Sequence, residues 1–327
     1  MNAAETKIPT HNMPQRQFQW KRETRVAGRS FVTEGEKEDI SQTVTVTRSE
    51  KDGLRFTVDL FNLSRDAWGA IEKDEPIEIG LGYADGTFET VLIGLITERG
   101  SPATVGADTK YTVKGTDKSE GRLRATRFAH VWDQPTVGQI VRDIAVEAGV
   151  GIGRCETPDK PFERRYQITE KKPANRWLDQ LEKEAEERDP QNRQFDWSAT
   201  RGQLYFGPKE TAGRRSAVVF KQARPNQSGN IYAGGLELSD GKTEKSDGPP
   251  SVDFEVALEP RLEKDGYVSV TGTDSRDGVY QVSGYEHESS VRDRIHKTTG
   301  TMTDVSAEFK AIGNRGSRRI PIGTGSI

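Results

Sequence analysis

Residues 54–98 read LRFTVDLFNLSRDAWGAIEKDEPIEIGLGYADGTFETVLIGLITE. Phe56, Val58 and Leu60 alternate with Thr57 and Asp59, the period of a strand with one buried face. A second run holds Ile77 and Ile79, and Asp85-Gly86 signals a hairpin. The landmarks return about 200 residues later. Phe254, Val256 and Leu258 answer Phe56, Val58 and Leu60; Glu263-Lys264-Asp265 answers Glu72-Lys73-Asp74, and Val268 and Val270 answer Ile77 and Ile79. Each copy then closes on a glycine-led strand, Gly94-Leu95-Ile96-Thr97-Glu98 and Gly284-Tyr285-Glu286-His287-Glu288. A β unit duplicated inside one chain predicts a protein that doubles its own rotational symmetry on assembly.

The 327 residues fit about two domains. A hydrophobic fraction of 32% and a mean hydropathy of -0.78 leave a modest core, so partners are expected to bury more surface. Lys plus Arg number 48 against 51 Asp plus Glu, so no overall basic field draws the chain to nucleic acid. No apolar run approaches the roughly 18 residues of a membrane span, and no insertion into a membrane is expected. The N-terminal residues lack the apolar core of a secretory signal. One cysteine, Cys155, excludes an internal disulfide framework. Asn62-Leu63-Ser64 matches a glycosylation sequon but reads as a strand end without secretion.

Residues 1–17 are polar, carry two prolines and have no structural period, so they predict a flexible arm. Order is expected from Phe18 and Trp20. Thr43, Val44, Thr45 and Val46 alternate, and Lys51-Asp52-Gly53 turns the chain into the next strand. Between Leu60 and Ile77, Ser64 is placed to cap a short helix that lays Trp68 and Ile71 over a barrel end. The period then changes. Val137, Ile140, Val141, Ile144, Ala145 and Ala148 form one helical face, with a Thr136/Gln139 capping box and a stop at Gly149. A second helix, from about Ala174 to Glu187, turns Trp177, Leu178, Leu181 and Ala185 inward and its glutamates mostly outward, and ends at Asp189-Pro190. A hairpin of Phe195–Trp197 and Leu204–Phe206 follows. Residues 125–212 thus read as a small α+β domain inserted between two β units, 18–124 and 213–310, with an extended tail over 311–327.

Residues that could carry chemistry do not converge. His11, His130, His287 and His296 lack metal-ligand spacing, and no metal or cofactor site is expected. His287 has no nucleophile motif near it and reads as structural or solvated. Glu182, Glu184, Glu186 and Glu187 read as a solvated helix face rather than the acid and base of a glycosidase. Gly149-x-Gly151-x-Gly153 follows a helix, not a strand, so it reads as a cap and turn rather than a nucleotide loop. Cys155 reads as a buried small residue. No catalytic residue is assigned, and the chain is not expected to be an enzyme. In the tail, Arg315, Arg318 and Arg319 precede Ile320-Pro321-Ile322, which either stays solvated or adds a strand to a neighbour.

The order of several short segments resembles one family. Leu60-Phe61-Asn62-Leu63-Ser64 leads to Ile79-Gly80-Leu81-Gly82-Tyr83 and Ile93-Gly94-Leu95-Ile96; Pro135-Thr136-Val137-Gly138-Gln139-Ile140-Val141 opens a helix; Leu258-Glu259-Pro260-Arg261-Leu262 precedes Gly278-Val279-Tyr280-Gln281-Val282. This order resembles the trimeric tail hub or baseplate proteins of tailed bacteriophages, with relatives in contractile injection systems. The resemblance implies two similar tube-forming β-barrel domains with a helical insert, a homotrimeric ring adapting a sixfold tail tube to a threefold tip, and a channel for genome passage. It implies as partners the tail tube or distal tail ring, the spike or tip protein, the tape-measure protein and DNA in transit. It also implies a place in the virion, at baseplate or tail tip, after assembly in the host cytoplasm. A tail-tip cell-wall hydrolase and a carbohydrate-binding β protein are the alternatives. The hydrolase lacks a convergent acid, base or nucleophile. The five tryptophans fall at apolar positions that suit cores better than a sugar platform.

Overall fold

The computed structural model describes residues 20–306 apart from 35–36, 39, 50–52, 85, 209–217, 222–236, 241–250, 274–275, 291 and 294. The expected arm over 1–17, His11, and the tail with Arg315, Arg318, Arg319, Ile320, Pro321 and Ile322 lie outside the described residues.

The first unit runs β1 (Trp20–Val26), β2 (Arg29–Glu34), β3 (Lys37–Glu38), β4 (Gln42–Ser49), β5 (Gly53–Phe61), α1 (Arg65–Gly69), β6 (Pro76–Tyr83), β7 (Phe88–Arg99), β8 (Ala103–Val105) and β9 (Asp108–Asp117). α2 (Lys118–Ala125) leads into the insert, which holds β10 (His130–Trp132), α3 (Val137–Glu147), β11 (Gly151–Cys155), β12 (Tyr166–Ile168), α4 (Ala174–Arg188), β13 (Phe195–Thr200) and β14 (Gln203–Pro208). The second unit comprises β15 (Val218–Lys221), β16 (Glu237–Asp240), β17 (Ser251–Ala257), β18 (Tyr267–Thr271), β19 (Gly278–Ser290) and β20 (Ile295–Asp304).

The duplication is structural. One unit orders its strands β4-β5-β9-β7-β6 and the other β16-β17-β20-β19-β18, the same permutation of chain order. Asp74 and Asp265 both adopt left-handed φ, 68° and 62°. Each donates its N–H at 2.8 Å across the sheet, to the carbonyls of Ile96 and Val282. In each unit a phenylalanine pairs across the ladder with a glycine, Phe56 with Gly115 and Phe254 with Gly300. A Cβ at either glycine would come within 2.6 Å or 2.8 Å of the facing ring, so these positions have room for hydrogen alone. The alignment of Gly94 with Gly284 is corrected. Counted from the Phe–Gly pairs, Gly284, opposite Thr301, answers Leu95, opposite Thr116, and the bulges fall on opposite sides of those pairs, at Thr97 in β7 and at Ser283 in β19.

The two units share one sheet. Tyr285–Ser290 of β19 pairs antiparallel with Thr43–Arg48 of β4, giving a 15-stranded sheet over a single core from Val26 to Met302. Closed barrels were expected, but no sheet closes among the described residues. Where β4 comes up to β1 and β2, buried side chains take the place of a backbone ladder. Thr24 Oγ1 donates to Gln42 Oε1 at 2.8 Å, and Gln42 Nε2 donates to the Phe31 carbonyl at 3.1 Å and to Thr33 Oγ1 at 3.2 Å. Polar atoms at this seam must find partners once water is excluded.

The insert has its own core, from Leu123 to Phe206. Thr136 and Gln139 cap α3 reciprocally at 3.2 Å and 2.8 Å, and Gly149 (φ 62°) ends it. Trp177, Leu178, Leu181 and Ala185 point inward from α4. Ser64 Oγ accepts from the Ala67 N–H at 3.1 Å at the start of α1, whose Trp68 is buried, as is Ile71 just beyond the helix.

Candidate functional site: the polar face of the joined sheet

Alternation gives every strand of the sheet a second face. Opposite the core, Thr43, Thr45 and Thr47 of β4, Arg55, Thr57 and Asp59 of β5, and Lys110, Thr112, Lys114 and Thr116 of β9 stand half-buried or exposed. The second unit continues this face with Asp253 and Glu255 of β17, Glu286 and Glu288 of β19, and Lys297, Thr299, Thr301 and Thr303 of β20. The cations are neutralised across strands. Lys110 Nζ lies 3.4 Å from Asp59, Lys297 Nζ 3.0 Å from Glu255, and Lys114 Nζ 3.3 Å from Glu98. Threonine hydroxyls donate to three carboxylates of the face: Thr112 to Asp59 at 2.5 Å, Thr301 to Asp253 at 2.8 Å, and Thr47 to Glu286 at 2.8 Å. Chemically this is a hydroxyl-rich surface whose lysines are paired with carboxylates, one that offers a polyanion little to grip.

Behind that face lies the joint between the units. His287, expected as structural or solvated, is fully buried, and one ring nitrogen bonds Thr298 at 2.9 Å. Burial, then the Arg201 charge, pushes its pKa down to about 3. His296 bonds Ser289 at 2.9 Å and packs on Trp20; burial, then Arg22, pushes it down to about 2. Both imidazoles are therefore neutral and make poor bases near neutral pH. Arg22 Nη1 donates to the Gln42 carbonyl at 2.8 Å and the Ser289 carbonyl at 3.3 Å, tying the seam to the joint.

The insert is fastened beside it. Asp117 caps α2, accepting from the Ser119 N–H at 2.8 Å, and also accepts from the Arg201 N–H at 3.2 Å; burial pushes its pKa up. Ser119 Oγ accepts from the Gly202 N–H at 2.8 Å. Glu120 accepts from the Leu54 N–H at 3.1 Å and pairs with Arg48 and Arg124. Arg201, at the tip of the β13–β14 hairpin, lies 3.8 Å from Glu263 of the second unit.

The remaining candidates are scattered. His130 is exposed beside Trp132, and the half-buried Cys155 thiol is pushed up by burial. Gly149 ends α3, while Gly151 and Gly153 belong to β11 rather than a turn. Among the described residues, no three His, Cys, Asp or Glu side chains gather as metal ligands. The outward assignment of the α4 glutamates is corrected for two of them. Glu182 and Glu186 turn to β13 and accept the Trp197 and Phe195 N–H groups at 3.1 Å and 3.2 Å. Burial, then Asp196 beside it, pushes Glu182 up to about 9. The sequence signal was the alternation of Phe195, Asp196 and Trp197 three residues beyond Asn192, which marks an edge strand needing cover.

No protein-family model matches the chain, and no curated protein matches it by sequence. Solved structures do. The tail protein from Neisseria meningitidis MC58 superposes with a TM-score of 0.60 at 12% identity, over 88% of this chain and 97% of that one. The 43 kDa tail protein of prophage MuSo2 from Shewanella oneidensis gives 0.58 at 12% identity, over 87% and 96%. The chain has the fold of phage tail proteins. The E. coli c3393 protein, a type VI secretion component with structural similarity to T4 bacteriophage tail proteins gp27 and gp5, gives 0.56 at 12% identity, over 86% and 77%.

Proposed function

We propose that this chain is a structural hub of a phage tail, three copies forming a ring that adapts a sixfold tube to a threefold tip. The observation that carries the reading is the internal joint. Two units of identical strand order, fused edge to edge through β19 and β4, make one protomer an arc of two similar segments. Three such arcs give six similar segments around a threefold axis. In the ring each unit completes a barrel-like wall, 18–124 and 213–310 serve as the two tube domains, and 125–212 stands outside them. The tail over 311–327 reaches to a neighbour, with Ile320, Pro321 and Ile322 adding a strand.

The threonine-rich face then lines the channel. A lining of hydroxyls and paired charges lets DNA pass, whereas free Lys and Arg would bind phosphate and hold it. The tail tube or distal ring, the spike or tip protein and the tape-measure protein are the neighbours, in a virion assembled in the host cytoplasm. The role is structural and not enzymatic. Cryo-imaging of the assembled tail tests it: three copies with this face inward are expected, and another copy number or a basic lumen overturns the reading.

A further inference from the structure

We propose that the outer edge of β7 and β8, from Thr97 to Val105, takes β16 of a second copy as its next strand. The proposal rests on the ring reading above and names the contact that closes it. The joint inside the chain is the template. There, β19 outruns β18, whose pairing spans Gly278 to Gln281, and lays Tyr285–Ser290 along β4. By strand order, the first unit's counterpart of β19 is β7, and the second unit's counterpart of β4 is β16.

Both counterparts have open edges. Pairing of β7 with β6 ends at Leu95 opposite Pro76, yet β7 continues to Arg99, and β8 extends the same side of β9 to Val105. Thr97, Glu98, Arg99, Ala103, Thr104 and Val105 are all exposed. The Gly100 N–H points inward to the Thr112 carbonyl at 2.9 Å, so the alternation of an antiparallel ladder turns the backbone groups of Arg99 outward. Thr104 sits opposite Thr109, whose N–H and carbonyl are both taken by Asn62, so Thr104 also presents its backbone outward. At the other end of the sheet β16 pairs with β17, and no strand flanks its far side among the described residues. Exposed ladders of this kind are liabilities unless another strand covers them.

A second copy is the occupant that fits, because only this chain carries the matching half of the joint. Among the described residues of one chain the two edges do not pair: β17, β20, β19, β4, β5 and β9 lie between β16 and β7, and the sheet does not close. The Phe–Gly pairs set the register. Glu98, opposite Lys114, is the counterpart of Glu286, opposite Thr299, each facing the residue that precedes the paired glycine, while Thr97 is the extra residue of the β7 bulge. Ser239, opposite Asp253, is the counterpart of Thr47, opposite Arg55. The template pair Glu286 with Thr47 therefore becomes Glu98 with Ser239 of the second copy.

The test is disulfide cross-linking of the full chain in a Cys155→Ser background. Glu98→Cys with Ser239→Cys is oxidised at the highest soluble concentration, alongside Thr47→Cys with Glu286→Cys as an intrachain control, while sedimentation reports the oligomeric state. A disulfide needs Cα atoms within roughly 7 Å, so a link at the first pair must join two chains. The expected result is a trimer by sedimentation and conversion of most of the monomer band to linked dimers and trimers, with the control linking inside one chain. A trimer in which only the control links overturns the strand joint and leaves the ring reading standing. A chain that is monomeric, or of another stoichiometry, at every concentration and also in assembled tails overturns both.

Discussion

At the scale of single residues, His287 and Glu182 couple the fold to pH with opposite signs. His287 is held neutral down to about 3, below the ordinary 6.5, so the unfolded chain protonates first. Stability is intact above pH 6.5 and falls toward pH 3, on the order of 1.4 kcal/mol per pH unit for one fully shifted site. His287→Asn, which keeps a hydrogen bond to Thr298, should flatten that acid loss in urea unfolding followed from pH 7 to pH 4. Glu182 behaves in reverse. Its folded pKa lies up at about 9 against an ordinary 4.5, so its contribution is complete below pH 4.5 and fades as pH rises through that window. Gln at 182 reproduces the protonated side chain, accepting from Trp197 and donating to Asp196. Glu182→Gln should therefore be more stable than the parent at pH 8, by about 1 kcal/mol or more, and indistinguishable near pH 4. Equal loss at both pH values would mean that the carboxyl is charged in the fold. His287 and His296 are both neutral and Glu182 is engaged with the Trp197 N–H and Asp196 inside the insert, so the purified chain should not digest peptidoglycan. Activity abolished by substituting one Glu or His would refute that expectation.

Among elements, the insert was the most legible part of the sequence, because its signals are local. The Thr136/Gln139 box, the Gly149 stop and the inward stripe of α4 each lie within a few residues of what they specify. The strand pairing of β19 with β4 was not legible: it joins segments about 240 residues apart, and no local residue pattern encodes which edge meets which. The bulges at Thr97 and Ser283, on opposite sides of the Phe–Gly pairs, likewise hid the true frame of the repeat, since an extra residue shifts every landmark after it. Of the candidate site, the sequence revealed the alternation of Thr43 and Thr45 with valines and the duplication, but not the cross-strand neutralisation of Lys110 and Lys297, which depends on register. The insert's own core predicts its response to truncation. Ile144 and Leu181 are fully buried, so Ile144→Ala or Leu181→Ala should cost about 2 to 5 kcal/mol. The loss should appear in the insert, read by the fluorescence of Trp132 and Trp177, before the sheet loosens. Unchanged melting of either variant would show that these faces are not core.

For the whole molecule, the decisive feature is that two repeats share one sheet and one core while the insert keeps another. The core of the joined sheet runs from Val26 through Phe56 and Val113 to Phe254, Val268 and Met302 without a break between units. Tyr83 in the first unit donates its hydroxyl to the Leu258 carbonyl of the second at 3.1 Å, and Arg292 reaches Asp108 at 2.7 Å. Elements that share a core and a ladder unfold together, whereas a compact insert with its own core opens as a separate unit. Calorimetry should accordingly resolve two transitions, one for the insert and one for both β units, rather than three. The joint can be weighed directly. Val46→Ala, which opens a cavity beside His287 and Phe56, should lower the sheet transition of both units together. If it instead splits that transition, with Phe254 and its neighbours melting at the parent temperature, the two units are independent domains that merely touch, and an arc built as one rigid segment of a ring loses its physical basis.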